Sequence, residues 1–144
     1  MDTRILDVFA DCVSNHFAVL RHCIDLDMPA MEGFRKFVSC WLYRTEDLAF
    51  VVDPGPLSTM PHLVAELRKF KVKQLDYILL THIHIDHAGG TGALVKAYPS
   101  AQVICHPQGV KHLIDPEQLW RGSQTLLGRL DESYGGSRPV WGKK

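Results

Sequence analysis

Leu48-Ala49-Phe50-Val51-Val52 is an unbroken apolar run, the pattern of a strand buried on both faces. It stops at Asp53-Pro54-Gly55-Pro56, where two prolines and a glycine predict a loop. Upstream, residues 34–43 are aromatic and β-branched enough to predict a strand, and the polar stretch Arg44-Thr45-Glu46-Asp47 predicts a hairpin turn between the two. Downstream, Leu63, Val64, Leu67 and Phe70 recur at helical spacing, with Glu66, Arg68 and Lys69 facing water. Ser58 or Thr59 is placed to cap that helix, and Pro61 falls in its first turn. Residues 75–80 predict another buried strand. Gly89-Gly90 opens a helix through Ala93, Leu94, Val95 and Ala97, which Pro99 ends. Residues 102–105 predict a third short strand ending at His106-Pro107, and helix is expected from there to about residue 130.

The two ends of the chain are less regular. Residues 4–24 mix apolar and polar positions without a clean period, and residues 133–144, rich in Gly, Ser and charge, are expected to form a loose tail. The pattern divides the chain into an ill-defined segment 1–33, one domain over 34–132 and the tail. Strands alternating with helices predict an α/β layered fold, with chemistry on the loops at the carboxyl ends of strands.

Composition narrows the class. Of 144 residues, 46% are hydrophobic and 22% charged, enough apolar material for a core. Lys plus Arg and Asp plus Glu are equal at 16 each, so the formal net charge is zero, and nothing suggests an electrostatic grip on nucleic acid or an anionic membrane. Cys12, Cys23, Cys40 and Cys105 form no CxxC pair and are expected to be free thiols in a reducing compartment. The start lacks a basic stretch followed by a long apolar run, so a cytoplasmic location without a membrane span is expected.

The candidate chemistry gathers in Thr81-His82-Ile83-His84-Ile85-Asp86-His87. Where the strand runs out extended, side chains alternate, so His82 and His84 point one way and Ile83 and Ile85 the other, into the core. Two imidazoles on one side can hold one ion. Asp86 and His87 follow as the chain turns into a helix, and can reach a second. Imidazole nitrogen and carboxylate oxygen suit zinc, and also iron or manganese. Clustered imidazoles without a ligand would be costly to desolvate. The isolated His16, His22 and His62 read instead as surface or satisfied core residues.

Thr81 to His87 matches the HxHxDH signature of the metallo-β-lactamase superfamily. Val51 to Gly55 resembles that family's DxG element, and Gln102 to His106 its next strand; the resemblance covers residues 34–120. It implies a metallo-β-lactamase-like αββα sandwich with metals in the cleft at the sheet edges, here the amino-terminal half plus adjoining helices. It implies His82 and His84 on a first metal, Asp86 and His87 on a second, and Asp53 as an outer residue that orients ligand imidazoles. Two zinc ions per complete site are implied, with iron or manganese as alternatives. The family's remaining ligands, two more histidines and a bridging aspartate, lie later. After His87 only His106 and His112 remain; His106 is too close to the motif to match, and His112 reads as a surface residue of a predicted helix. The chain is therefore expected to be a truncated domain, its site completed by a missing carboxyl-terminal half or by a homo-oligomeric neighbour, with one sheet face left uncovered.

The function implied is metal-dependent hydrolysis. Two metals about 3.5–4 Å apart bring the pKa of a shared water to about 7. The resulting metal-bound hydroxide would attack an ester, thioester, amide, lactone or phosphodiester of a small-molecule substrate, with Asp86 holding or relaying the proton. The sequence does not choose among these substrates. The alternative is a non-catalytic metal-binding or interaction module derived from the same fold.

Overall fold

The computed structural model describes residues 20–29, 32–127, 132–136 and 139–140. Among the described residues, five strands form one sheet in the order β1-β2-β3-β4-β5: β1 is Leu20–Leu26, β2 Val38–Arg44, β3 Ala49–Val52, β4 Tyr77–Leu79 and β5 Gln102–Ile104. β1, β2 and β3 pair antiparallel, while β3, β4 and β5 run parallel. Parallel neighbours need crossovers, and helices supply them. Helix α1 (Met60–Lys69) joins β3 to β4, and the short α2 (Ile85–Ala88) with α3 (Thr91–Ala97) joins β4 to β5. Helices α4 (Val110–Ile114) and α5 (Glu117–Leu127) follow. The fold is mixed α/β, as the alternation of patterns predicts.

The register explains the core. Leu42 pairs with Val51, Val51 with Ile78, and Ile78 with Val103, so one row of apolar side chains crosses four strands on one face. Leu63 and Leu67 of α1 and Leu94 of α3 cover that row, all fully buried, and Ile24, Leu26 and Cys40 extend it. The adjacent row, Cys23, Trp41, Val52, Leu79 and Ile104, points the other way. There the cover among the described residues is thin, and Trp41 is 56% exposed.

Three expectations change in the structure. Strand β1 lies where no period is legible. The 34–43 strand begins only at Val38, because Gly33 (φ 87°) and Lys36 (φ 51°) turn the chain and leave Phe34 and Phe37 outside the ladder. Phe37 packs instead with Met28, Ile85 and Tyr134 in a small second cluster. Thr59 precedes α1 but does not cap it; its hydroxyl donates to the Pro56 carbonyl at 2.9 Å, closing the turn instead.

In the stretch expected to be a loose tail, Tyr134 and Val140 are buried. Backbone N–H groups of Ser58 and Val140 donate to the carbonyls of Tyr134 and Leu113, respectively. Cys12, His16 and the rest of segment 1–19 lie outside the described residues. Among the described residues, Cys23, Cys40 and Cys105 are free thiols, and no helix is long and apolar enough to cross a membrane.

Two predictions follow from this packing. Leu67→Ala removes a fully buried side chain from the α1 contact with the sheet and should lower stability by about 2–5 kcal/mol in urea unfolding. Burial first, and the Asp53 carboxylate second, push the Cys40 thiol far above its ordinary range. A thiol reagent at neutral pH should therefore spare Cys40 in the native protein and modify it once urea unfolds the chain, as read by peptide mass spectrometry.

Candidate metal centre

β4 ends at Leu79; Leu80 still donates its N–H to the Ile104 carbonyl of β5 at 2.9 Å, and the chain then leaves the sheet towards the motif. His84 sits at φ −59° and ψ 147°, and the chain coils into α2 at Ile85. Ile83 lies close against the Gly109 backbone and Ile85 is buried in the small second cluster. The histidines on the opposite side of this stretch stay accessible.

The rings of His82 and His84 lie 4.8 Å apart, nearly perpendicular, and those of His82 and His87 lie 4.3 Å apart. Asp86 Oδ2 is 3.5 Å from His87 Nε2. Among the described residues, two groups bring ligand atoms within 4.8 Å of one another: His82, His84 and Asp86, and Asp53, His82 and His87. The structure thus brings all five predicted site residues together, with His82 common to both groups. The donors are imidazole nitrogens and carboxylate oxygens at a half-exposed strand end, a set that fits zinc, iron or manganese.

Asp53 enters the site from the end of β3. Its backbone sits at φ 49°, a left-handed conformation that aspartate tolerates better than most residues. The residue is only 8% exposed and its side chain is heavily bonded. Oδ1 accepts the Thr81 backbone N–H at 2.9 Å. Oδ2 accepts the Thr81 hydroxyl at 2.6 Å and lies 3.3 Å from His87 Nδ1. Thr81 Oγ1 is in turn 3.0 Å from His82 Nδ1. The sequence pattern alone assigns Thr81 no role. Its partner is 28 positions away, so no local spacing points to it.

The loop after β3 is latched to the motif by its backbone. Asp53 N–H donates to Leu79, Gly55 N–H to the His87 carbonyl at 2.9 Å, and Gly90 N–H to the Gly55 carbonyl at 2.8 Å. Gly55 adopts φ 90°, which favours glycine. A Cβ at Gly90 would come within 2.9 Å of the Gly55 oxygen and closer still to the end of the Met60 side chain.

The remaining described histidines lie outside both groups. His106 sits after β5, where its Nδ1 accepts the Gln108 N–H at 3.3 Å. His22 packs on the Phe70 ring with centroids 4.3 Å apart, His62 is exposed on α1, and His112 is half-buried on α4.

The chain matches the family model described as the metallo-beta-lactamase superfamily over residues 33–143. It is 44% identical over 89 residues to a hydroxyacylglutathione hydrolase of Aeromonas hydrophila, covering 57% of this chain and 34% of that protein. It is 32% identical over 69 residues to a probable metallo-hydrolase of Methanocaldococcus jannaschii, covering 48% and 33%. Among solved structures, an archaeal metallo-beta-lactamase superfamily protein of Sulfolobus tokodaii matches with TM-score 0.65 and 25% identity, over 82% of this chain and 43% of that one. The chain spans between a quarter and about a third of the length of the curated relatives it matches.

The latch gives a test of this local architecture. Gly90→Ala should force the 53–56 loop and Met60 apart and lower stability by about 1–3 kcal/mol, measured by thermal or urea unfolding. Wild-type stability in that variant would mean the Gly55–Gly90 approach is not constrained as described.

Proposed function

Because this chain belongs to the metallo-β-lactamase superfamily, we propose that it carries the amino-terminal half of a metal-dependent hydrolase site, acting on a thioester. The carrying observation is the convergence of His82, His84, Asp86 and His87 at one strand end, with Asp53 bonded behind them. In this reading His82 and His84 would hold one ion and Asp86 and His87 a second. Zinc suits the donor set, and iron or manganese would be accepted by it. When bound, such ions acidify water and polarise the oxygen of a scissile carbonyl or phosphoryl group.

The chain's own residues then have distinct tasks. With His87 protonated at Nδ1, Asp53 Oδ2 would accept that N–H and leave the Nε2 lone pair for the ion that Asp86 would share. A carboxylate in that position fixes the ring and raises the basicity of the free nitrogen. Asp86, half-exposed beside the cluster, would hold a proton at its carboxylate and pass it to the leaving group. The choice of thioester among the ester, thioester, amide, lactone and phosphodiester classes rests on the relatives named hydroxyacylglutathione hydrolase.

Metal analysis and turnover test the proposal together. Zinc-loaded protein, with the site completed in its full natural polypeptide or assembly, should cleave a hydroxyacylglutathione thioester, lose that activity to a chelator and regain it with added zinc. Retention of metal without turnover of this thioester, or of simple esters and phosphodiesters, would leave a non-catalytic metal-binding module and overturn the hydrolase reading. Among variants, His84→Ala should reduce metal content by elemental analysis. Asp86→Asn should spare the ion held by His82 and His84 while weakening the other; two ions retained at full occupancy would contradict the allocation.

A further inference from the structure

The Thr81 hydroxyl stands between the buried Asp53 carboxylate and the ring of His82. A hydroxyl has one proton to give. An ionised carboxylate can only accept, so at 2.6 Å the Thr81 proton lies on the bond to Asp53 Oδ2. Toward His82 Nδ1, 3.0 Å away, the same oxygen has only lone pairs left. That contact is a hydrogen bond only when Nδ1 carries the ring proton. The neutral imidazole then has its lone pair on Nε2. Whether a ring nitrogen is protonated is set by the bond its partner makes, and here the partner can make only one kind.

We propose that Thr81 is a positioning residue: through its hydroxyl, Asp53 locks His82 into the tautomer that offers Nε2 as a metal donor. The inference rests on the reading of His82 as a ligand. It makes one carboxylate the organiser of two histidines, His87 directly and His82 through a one-residue relay. Asp53 itself is thereby occupied: its two oxygens face two Thr81 donors and the His87 ring, which suits an orienting role better than that of a ligand.

The relay can be removed without removing the anchor. The Thr81 backbone N–H holds Asp53 Oδ1 at 2.9 Å whatever side chain follows. Thr81→Val keeps that bond and the β-branched shape, at an exposed position, and deletes only the hydroxyl. Thr81→Ser keeps the hydroxyl.

Two measurements on the full chain decide the matter. Histidine-labelled, metal-free protein at about pH 8.5, where imidazole is neutral, reports each ring's tautomer in two-bond proton–nitrogen spectra. Wild type and Thr81→Ser should show His82 protonated at Nδ1, and Thr81→Val should shift it towards Nε2–H. His82 protonated at Nε2 in the wild type, or unchanged in Thr81→Val, overturns the proposal. In chelator competition with zinc, Thr81→Val should bind about 10–100-fold more weakly and Thr81→Ser like wild type, the range expected for loss of an orienting partner. Equal affinity in Thr81→Val overturns it as well. Failure of the wild type to bind zinc would sink the ligand reading instead, since the metal-free spectrum reads the tautomer without it.

Discussion

The buried carboxylate of Asp53 is the constraint on which the site depends. It sits at the seam between β3 and β4, the point where two parallel strands release their chains towards the same end of the sheet. Parallel strands leave their carboxyl ends side by side, so a residue just past one strand can reach residues just past the next. Asp53 does this three times over, to the Thr81 backbone, the Thr81 hydroxyl and the His87 ring. A carboxylate this enclosed must be paired by donors. Those donors belong to the segment that carries the cluster, so the carboxylate is satisfied when Thr81 and His87 are in place.

Much of this was legible along the chain, and for a physical reason. The cluster lies within six consecutive positions, and a strand-to-helix turn brings such neighbours together without help from distant residues. The β3 and β4 strands and helix α1 could be read because two short apolar runs suit strands and the spacing of Leu63 and Leu67 suits a helix. What escaped depended on distance. In β1 the inward Ile24 and Leu26 alternate with Cys23 and Asp25, too short a pattern to stand out until β2 pairs with it. Phe34 and Phe37 look like strand residues, yet two left-handed backbone positions keep them out of the ladder: Phe37 joins a separate cluster with Tyr134, and Phe34 stays exposed beside the Phe37 ring. Thr59 looks like a cap, but the Pro56 carbonyl competes for its hydroxyl and wins.

Among the described residues the two faces of the sheet differ in cover. Its helix-covered face is closed by Leu63, Leu67 and Leu94, while Trp41 stands largely in solvent on the other among the described residues. The match to the Sulfolobus tokodaii protein takes in most of this chain but less than half of that one. The cluster is built around one strand end, with the backbone latch at Gly55 and Gly90 holding it to the sheet.

The left-handed backbone at position 53 carries a consequence of a different kind. At φ 49° a Cβ is crowded for most side chains, and glycine, asparagine and aspartate are the residues that settle there readily. Of these three, one alone bears a negative charge. Mutational drift at this position therefore meets two sieves in series, one of sterics and one of electrostatics, and a single amino acid passes both. Descendants of this chain would be expected to vary widely along α1 or α5 while position 53 stands almost still.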